Sequence, residues 1–303
     1  MGRGDCRQHG RGPRPRCGCA RLRPRLRDAR RRERGRGPPD RSARRPRRAG
    51  GDDAARLVGS LPCEAVDAGV GTLTRLGAHT YARWRATRLG KITERVETNV
   101  VFDLAGPLRG KRVLDVGTGD GNYAIESAKR SAIVTALDLE QEMLDVAHAR
   151  AASCEVDMTL RLGRAEALPF EDASFDVVIA VTVLCFVPDA QRAVREMARV
   201  LVPGGRVVLG ELGRFSLWAA ERRVRGWLGA STWRRARFWS RGELEALAQD
   251  AGLRAATVRG SVFFPPSGLA ARLVAPVEPL LTRLHAPGAA FLALAADKRE
   301  VPS

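Results

Sequence analysis

The stretch Val113-Leu-Asp-Val-Gly-Thr-Gly-Asp-Gly-Asn122 constrains this chain more than any other. It joins a short apolar run, Arg112 to Val116, which reads as a buried strand, to a helical segment from about Tyr123 to Arg130. Glycines at 117, 119 and 121 let the backbone turn sharply and approach a ligand closely, because no side chain stands in the way. The spacing departs from the dinucleotide pattern G-x-G-x-x-G, which would put its third glycine where Asn122 stands. Asp115 also precedes the turn, where a pyrophosphate would be an unwelcome neighbour and a cationic amino group a welcome one. Asp138, at the end of the next strand, has the position of an acid that accepts hydrogen bonds from ribose hydroxyls, or of a helix N-cap. The turn alone leaves a nicotinamide-dependent oxidoreductase and a user of a cationic cofactor both open.

The alternation that follows predicts a parallel sheet with right-handed crossovers. Ile92 to Leu104 has helical apolar spacing and is stopped by Gly106-Pro107. Strands are expected at Ile133–Leu137, Thr159–Leu162 and Phe175–Val181, with helices at Glu140–Ala151 and Ala190–Leu201 between or after them. Pro203-Gly204-Gly205 is expected to turn the chain into a strand at Val207–Leu209, and Ala286 to Ala296 reads as a buried strand.

Three further segments are informative in order and spacing: Gly163-Arg-Ala-Glu-Ala-Leu-Pro-Phe170, Ser174-Phe-Asp-Val-Val178 and Ala198-Arg-Val-Leu-Val-Pro-Gly-Gly-Arg206. Together with the glycine turn they resemble the class I S-adenosylmethionine-dependent methyltransferases. The likeness is to the methyltransferase type 11 group that includes ubiquinone- and menaquinone-biosynthesis enzymes, and it covers roughly 80 to 300. The resemblance implies an α/β fold with a doubly wound, mostly parallel seven-stranded sheet, and S-adenosyl-L-methionine as cofactor. It implies that Asp115, Gly117, Gly119 and Gly121 hold the methionine end. Asp138 would grip the ribose, Leu139 and Met143 would flank the adenine, and Ala165 and Glu166 would meet its edge. Arg164 stands where such proteins commonly carry an acid, and Leu184-Cys185-Phe186 where histidines are frequent. No residue is marked as a general base, and no metal is implied.

On the acceptor side, the segment Gly213 to Ser240 holds four of the five tryptophans, with arginines between them, and is expected to form a lid. Leu217, Ala220, Val224, Trp227 and Leu228 share one helical face, with Ser216 as N-cap, and an ordinary amphipathic helix packed on the core is the alternative to a lid. Tyr81, Trp84, Cys185, Phe186 and Trp218 are the candidate substrate residues, for a small-molecule or lipid-like acceptor. The formal net charge of +18 maps unevenly. Residues 1–50 carry 19 arginines against four acids, a net of +15, so the remainder is close to neutral at +3. With eight glycines, six prolines and no aromatic before Tyr81, the segment 1–75 is expected to be a disordered tail before a methyltransferase domain at 76–303. An RNA-directed enzyme or a nucleic-acid-binding protein is therefore an alternative that rests on the tail alone. The six cysteines show no zinc spacing and read as free thiols in a reducing compartment, so a cytoplasmic location is expected.

Overall fold

The computed structural model describes residues 83–300. The expected tail and Tyr81 lie outside the described residues. Seven strands form one sheet in the order β3-β2-β1-β4-β5-β7-β6. The strands are β1 Arg112–Val116, β2 Ile133–Asp138, β3 Thr159–Leu162, β4 Phe175–Val181, β5 Leu201–Leu212, β6 Leu253–Ser261 and β7 Phe291–Lys298. Strands β1 to β5 run parallel, and β7 is antiparallel to both β5 and β6. The helices, in chain order, are α1 Arg88–Ala105, α2 Asn122–Lys129, α3 Gln141–Ser153, α4 Ala190–Val200, α5 Leu217–Trp227, α6 Ser231–Arg235, α7 Arg241–Asp250, α8 Gly268–Val274 and α9 Glu278–Arg283.

Period-two alternation divides the sheet's side chains between two cores. Leu114, Val116, Val178, Ala180, Val207 and Leu209 face one layer, where they meet Val194 and Met197 of α4 and Leu244 of α7. Val113, Val177, Ile179 and Val208 face the other, where they meet Val101 and Leu104 of α1, Trp218 of α5 and Ala271 of α8. Local chemistry sets the helix ends. Thr87 accepts from Gly90 N–H at the start of α1, and Gly106 at φ 73° closes its end. Asp189 caps α4, Ser216 caps α5, and Ser240 with Glu243 forms a capping box on α7.

Four sequence expectations need correction. β5 begins at Leu201, before Pro203-Gly204-Gly205. Leu201 stays paired with Phe175, and the glycine pair bulges out, with Gly204 at φ 74°, before pairing resumes at Arg206. β7 begins at Phe291, because Gly288 at φ 89° still belongs to the turn that precedes it. α5 forms with its expected cap, but rotated: Trp218, Ala219 and Gly226 are its buried residues, while Leu217, Val224 and Trp227 face solvent. The Trp218 indole N–H donates to the Phe264 carbonyl at 2.8 Å, which fixes the inward face. Gly226 lets α6 approach to within van der Waals contact. Cys154 is disulfide-bonded, so the free-thiol reading fails there, whereas Cys185 is free.

Candidate functional site

The C-terminal ends of parallel strands are where a doubly wound sheet builds its ligand crevice. Here the loops leaving β1, β2, β3 and β4 are tied to one another at that edge. Gly117 and Thr118 both donate to the Leu137 carbonyl, at 2.7 and 2.9 Å. Gly119 N–H donates to Asp138 Oδ2 at 2.8 Å, and Asp138 Oδ1 accepts from Glu140 N–H at 3.0 Å. Gly163 N–H donates to the Asp138 carbonyl at 2.9 Å, which brings Arg164 to Ala167 alongside. Asp138 is therefore not the N-cap of α3, a position held by Glu140. Its carboxylate joins the glycine loop to the β2–α3 turn and retains lone pairs for further donors. Burial raises its pKa above the ordinary carboxylate range, and the backbone donors pull the other way.

The three glycines do different work. At Gly117, φ is 67° and a Cβ would lie 2.6 Å from Val183 Cγ2, so this glycine admits the loop after β4. At Gly121, φ is 84° and a Cβ would sit 3.0 Å from Ala147, so this one admits α3. At Gly119, φ is 55° and a Cβ would meet nothing within 4 Å. The space over Gly119 is open, as a cradle for an approaching ligand requires. Gly119→Ala should cost the fold only the strain of a left-handed residue, about 1–2 kcal/mol. It should weaken cofactor binding by about tenfold or more by filling the cradle. Calorimetric titration beside a melting curve checks this: equal affinity would mean that no ligand approaches there.

Asp115 is 2% exposed and accepts from Thr118 Oγ1 at 2.6 Å, so it braces the turn from beneath. Burial raises its pKa to about 7, with the charges of Asp138 and Asp120 adding to the rise. Leu139 is exposed at the mouth, Met143 and Glu166 are half-buried, and Ala165 is buried. Glu166 pairs with Arg164 at 3.3 Å. The arginine at 164 thus binds a neighbouring candidate rather than supplying the missing acid.

The acceptor-side candidates separate. Trp84 and Trp218 meet edge to face, 6.3 Å between centroids, and Arg222 lies over Trp218 at 5.1 Å and over Trp233 at 4.7 Å. Cys185 is buried with Leu212, Ala219 and Phe238, and its thiol donates to the Thr182 carbonyl at 3.3 Å. Burial also pushes that thiol well above its ordinary range, so it packs as a small hydrophobe. Phe186 is partly buried against the same cluster.

Several residues at the site carry no motif. Glu211, fully buried at the end of β5, accepts from the N–H groups of Val183, Leu184 and Cys185 at 3.2, 2.8 and 3.1 Å. One carboxylate thereby holds the whole loop after β4, although burial raises its pKa to about 8. Arg85 contacts Asp120 and Glu94 and reaches Asn122 Oδ1 at 3.2 Å, while Arg150 pairs with Asp120 at 2.8 Å. The two arginines clamp the glycine loop from both sides. Glu97, one turn beyond Glu94 on α1, faces Arg222, Glu94 and Arg85, and burial raises its pKa to about 8. The only sequence signal for these groups is an acid or arginine amid apolar neighbours.

The family profile described as Methyltransferase domain matches residues 114–209. A ubiquinone biosynthesis O-methyltransferase of Idiomarina loihiensis is 34% identical over 168 residues, covering 53% of this chain and 69% of that protein. The chain belongs to the S-adenosylmethionine-dependent methyltransferases. A 27-O-demethylrifamycin SV methyltransferase of Amycolatopsis mediterranei is 41% identical over 124 residues, 39% of this methyltransferase and 46% of that one. The crystal structure of an S-adenosylmethionine-dependent methyltransferase of Thermotoga maritima superposes with a TM-score of 0.58 at 25% identity, over 74% of this chain and 97% of that one. The chain spans about 39% of the length of the mycobacterial relatives it matches. Membership makes S-adenosyl-L-methionine the cofactor and ends the nicotinamide alternative. Among the described residues no helix is long and apolar enough to cross a membrane.

Proposed function

We propose that this methyltransferase transfers a methyl group to a hydroxyl of an apolar, ring-bearing small molecule. The observation that carries the reading is the open cradle over Gly119 with Asp138 bonded at its N–H, and the Trp84–Trp218 pair next to Arg85, which reaches the same loop at Asp120. Kinship with a ubiquinone biosynthesis O-methyltransferase and a 27-O-demethylrifamycin SV methyltransferase supports hydroxyl as the acceptor group. When bound, the cofactor supplies an activated methyl on a sulfonium. In this reading Asp115 and the glycine turn face its amino-acid end, Asp138 its ribose, and Leu139, Met143, Ala165 and Glu166 its adenine. Trp84 and Trp218 orient and desolvate the acceptor. Outside the described residues, we take 1–75 to be dispensable for this chemistry.

The test is calorimetry with S-adenosylmethionine, S-adenosylhomocysteine and NADH. Both adenosyl ligands should bind and NADH should not. Asp115, with its pKa near 7, is partly protonated at neutral pH. A cation beside it favours the charged form, so its proton should leave when S-adenosylmethionine binds. Heats at pH 7 should therefore differ between buffers of different ionisation enthalpy. Buffer-independent heats would remove Asp115 from the cofactor's amino group.

A further inference from the structure

α5 carries its apolar stripe on the wrong side for a core helix. Leu217 is 64% exposed, Val224 48%, Trp227 83% and Leu228 82%, with Phe215 just before them at 72%. At 100° per residue these four and Ala220 lie on one face, with Arg223 along one border and Arg225 along the other. A second stripe runs along α8 and α9: Leu269, Leu273, Val277, Leu280 and Leu284 follow helical spacing and are 46–70% exposed. Arg272 and Arg283 lie beside it. The two segments are tied together beneath the surface, where the Trp218 indole donates to the Phe264 carbonyl and Ala271 joins the same core cluster.

The charges choose the occupant. The segment 213–240 carries seven arginines and a single acid, Glu221, which pairs with Arg225 at 2.8 Å, and Glu243 beyond it pairs with Arg214 and Arg237, so the segment keeps a net positive charge. The segment 265–288 carries two arginines and one acid, Glu278, whose carboxylate is buried against the N–H groups of Val262 and Phe263. A second copy of this chain docked here would set arginines against arginines. An anionic bilayer surface satisfies both features, because phosphates meet the arginine borders while leucine and tryptophan enter the boundary between headgroups and acyl chains. We propose that the surface formed by α5, α8 and α9 docks this methyltransferase on anionic membranes, with Leu217, Trp227 and Leu228 as the inserted side chains.

Vesicles of phosphatidylcholine with phosphatidylglycerol, carrying brominated acyl chains, report insertion by quenching tryptophan fluorescence. Measurement in about 0.5 M salt suppresses attraction that is only electrostatic, including any from the arginines of residues 1–50. The full chain should be quenched there. The variant Leu217→Glu/Trp227→Glu/Leu228→Glu should partition about tenfold or more weakly, with its melting temperature and its S-adenosylhomocysteine affinity unchanged. Phosphatidylcholine vesicles alone should bind the full chain more weakly than the anionic mixture. Equal partitioning of variant and parent overturns the proposal, as does binding without quenching. A dimer that the three substitutions dissociate would also overturn it, by showing that a second copy covers this face. None of these readings depends on methyl transfer, so the docking surface and the O-methyl reading stand or fall separately.

Discussion

Glu211→Ala should be among the most damaging single substitutions in this protein. The carboxylate accepts three backbone N–H groups from Val183, Leu184 and Cys185, and it is fully buried. Removing it leaves donors with no water to turn to, at about 1–3 kcal/mol for each unsatisfied buried group. A loss of about 3 kcal/mol or more is a large part of the stability of an ordinary domain. The loop after β4 should loosen with it, and that loop touches Gly117 through Val183. Cofactor affinity should therefore fall too. The pH dependence identifies the cause. Burial raises the folded-state pKa to about 8, above the ordinary carboxylate range. Across the window from the ordinary value up to about 8 the folded state holds a proton that the unfolded state has lost, so this group's contribution falls as pH rises. Glu211→Gln cannot titrate. It should be less stable than the parent near pH 5.5, and the gap should narrow towards pH 8.5. Urea midpoints at the two values check this, and a gap that is constant or absent would assign Glu211 no such role.

The parallel half of the fold was legible in the chain because its central strands β1 and β4 are almost wholly buried, and because glycine, proline or an acid punctuates the runs. β1, β3 and β4 have the bounds read from the apolar runs. The pattern β5 hides is the Pro203-Gly204-Gly205 bulge, since turn residues look the same whether they precede a strand or interrupt one. The orientation of α5 was not legible either. Helical spacing tells which residues share a face, and Leu217, Val224, Trp227 and Leu228 do share one. Which face turns inward was decided by Trp218 finding the Phe264 carbonyl 46 residues away. The glycine turn after β1 was read from its own glycines, but its supports were not. Arg85 and Arg150 reach Asp120 from α1's approach and from α3, and Glu211 reaches across from β5. A lone acid or arginine far along the chain has no local signature of its partner.

Asp138→Ala is expected to separate the cofactor site from the fold. Asp138 Oδ2 holds Gly119 N–H at 2.8 Å and Oδ1 holds Glu140 N–H at 3.0 Å. The carboxylate is only part-buried, so water can reach the donors it abandons, and the loss of stability should stay modest. Binding is affected twice. The tip of the glycine loop loses the contact that pre-forms it, and, with the ribose placed as proposed, its hydroxyls lose a charged acceptor, a kind of hydrogen bond stronger than a neutral one. Together these should weaken S-adenosylhomocysteine by about 1–3 kcal/mol, which is roughly 5- to 150-fold. Asp138→Asn keeps one acceptor oxygen. If that oxygen turns to Gly119, the loop survives and only the charged contact is lost, so its affinity should fall between those of the parent and the alanine variant. Titration of the three proteins at one pH, each first shown to melt cooperatively, gives the order. An alanine variant that melts like the parent and binds with the parent's affinity would reduce Asp138 to a tie between two loops, and the ribose would need another partner.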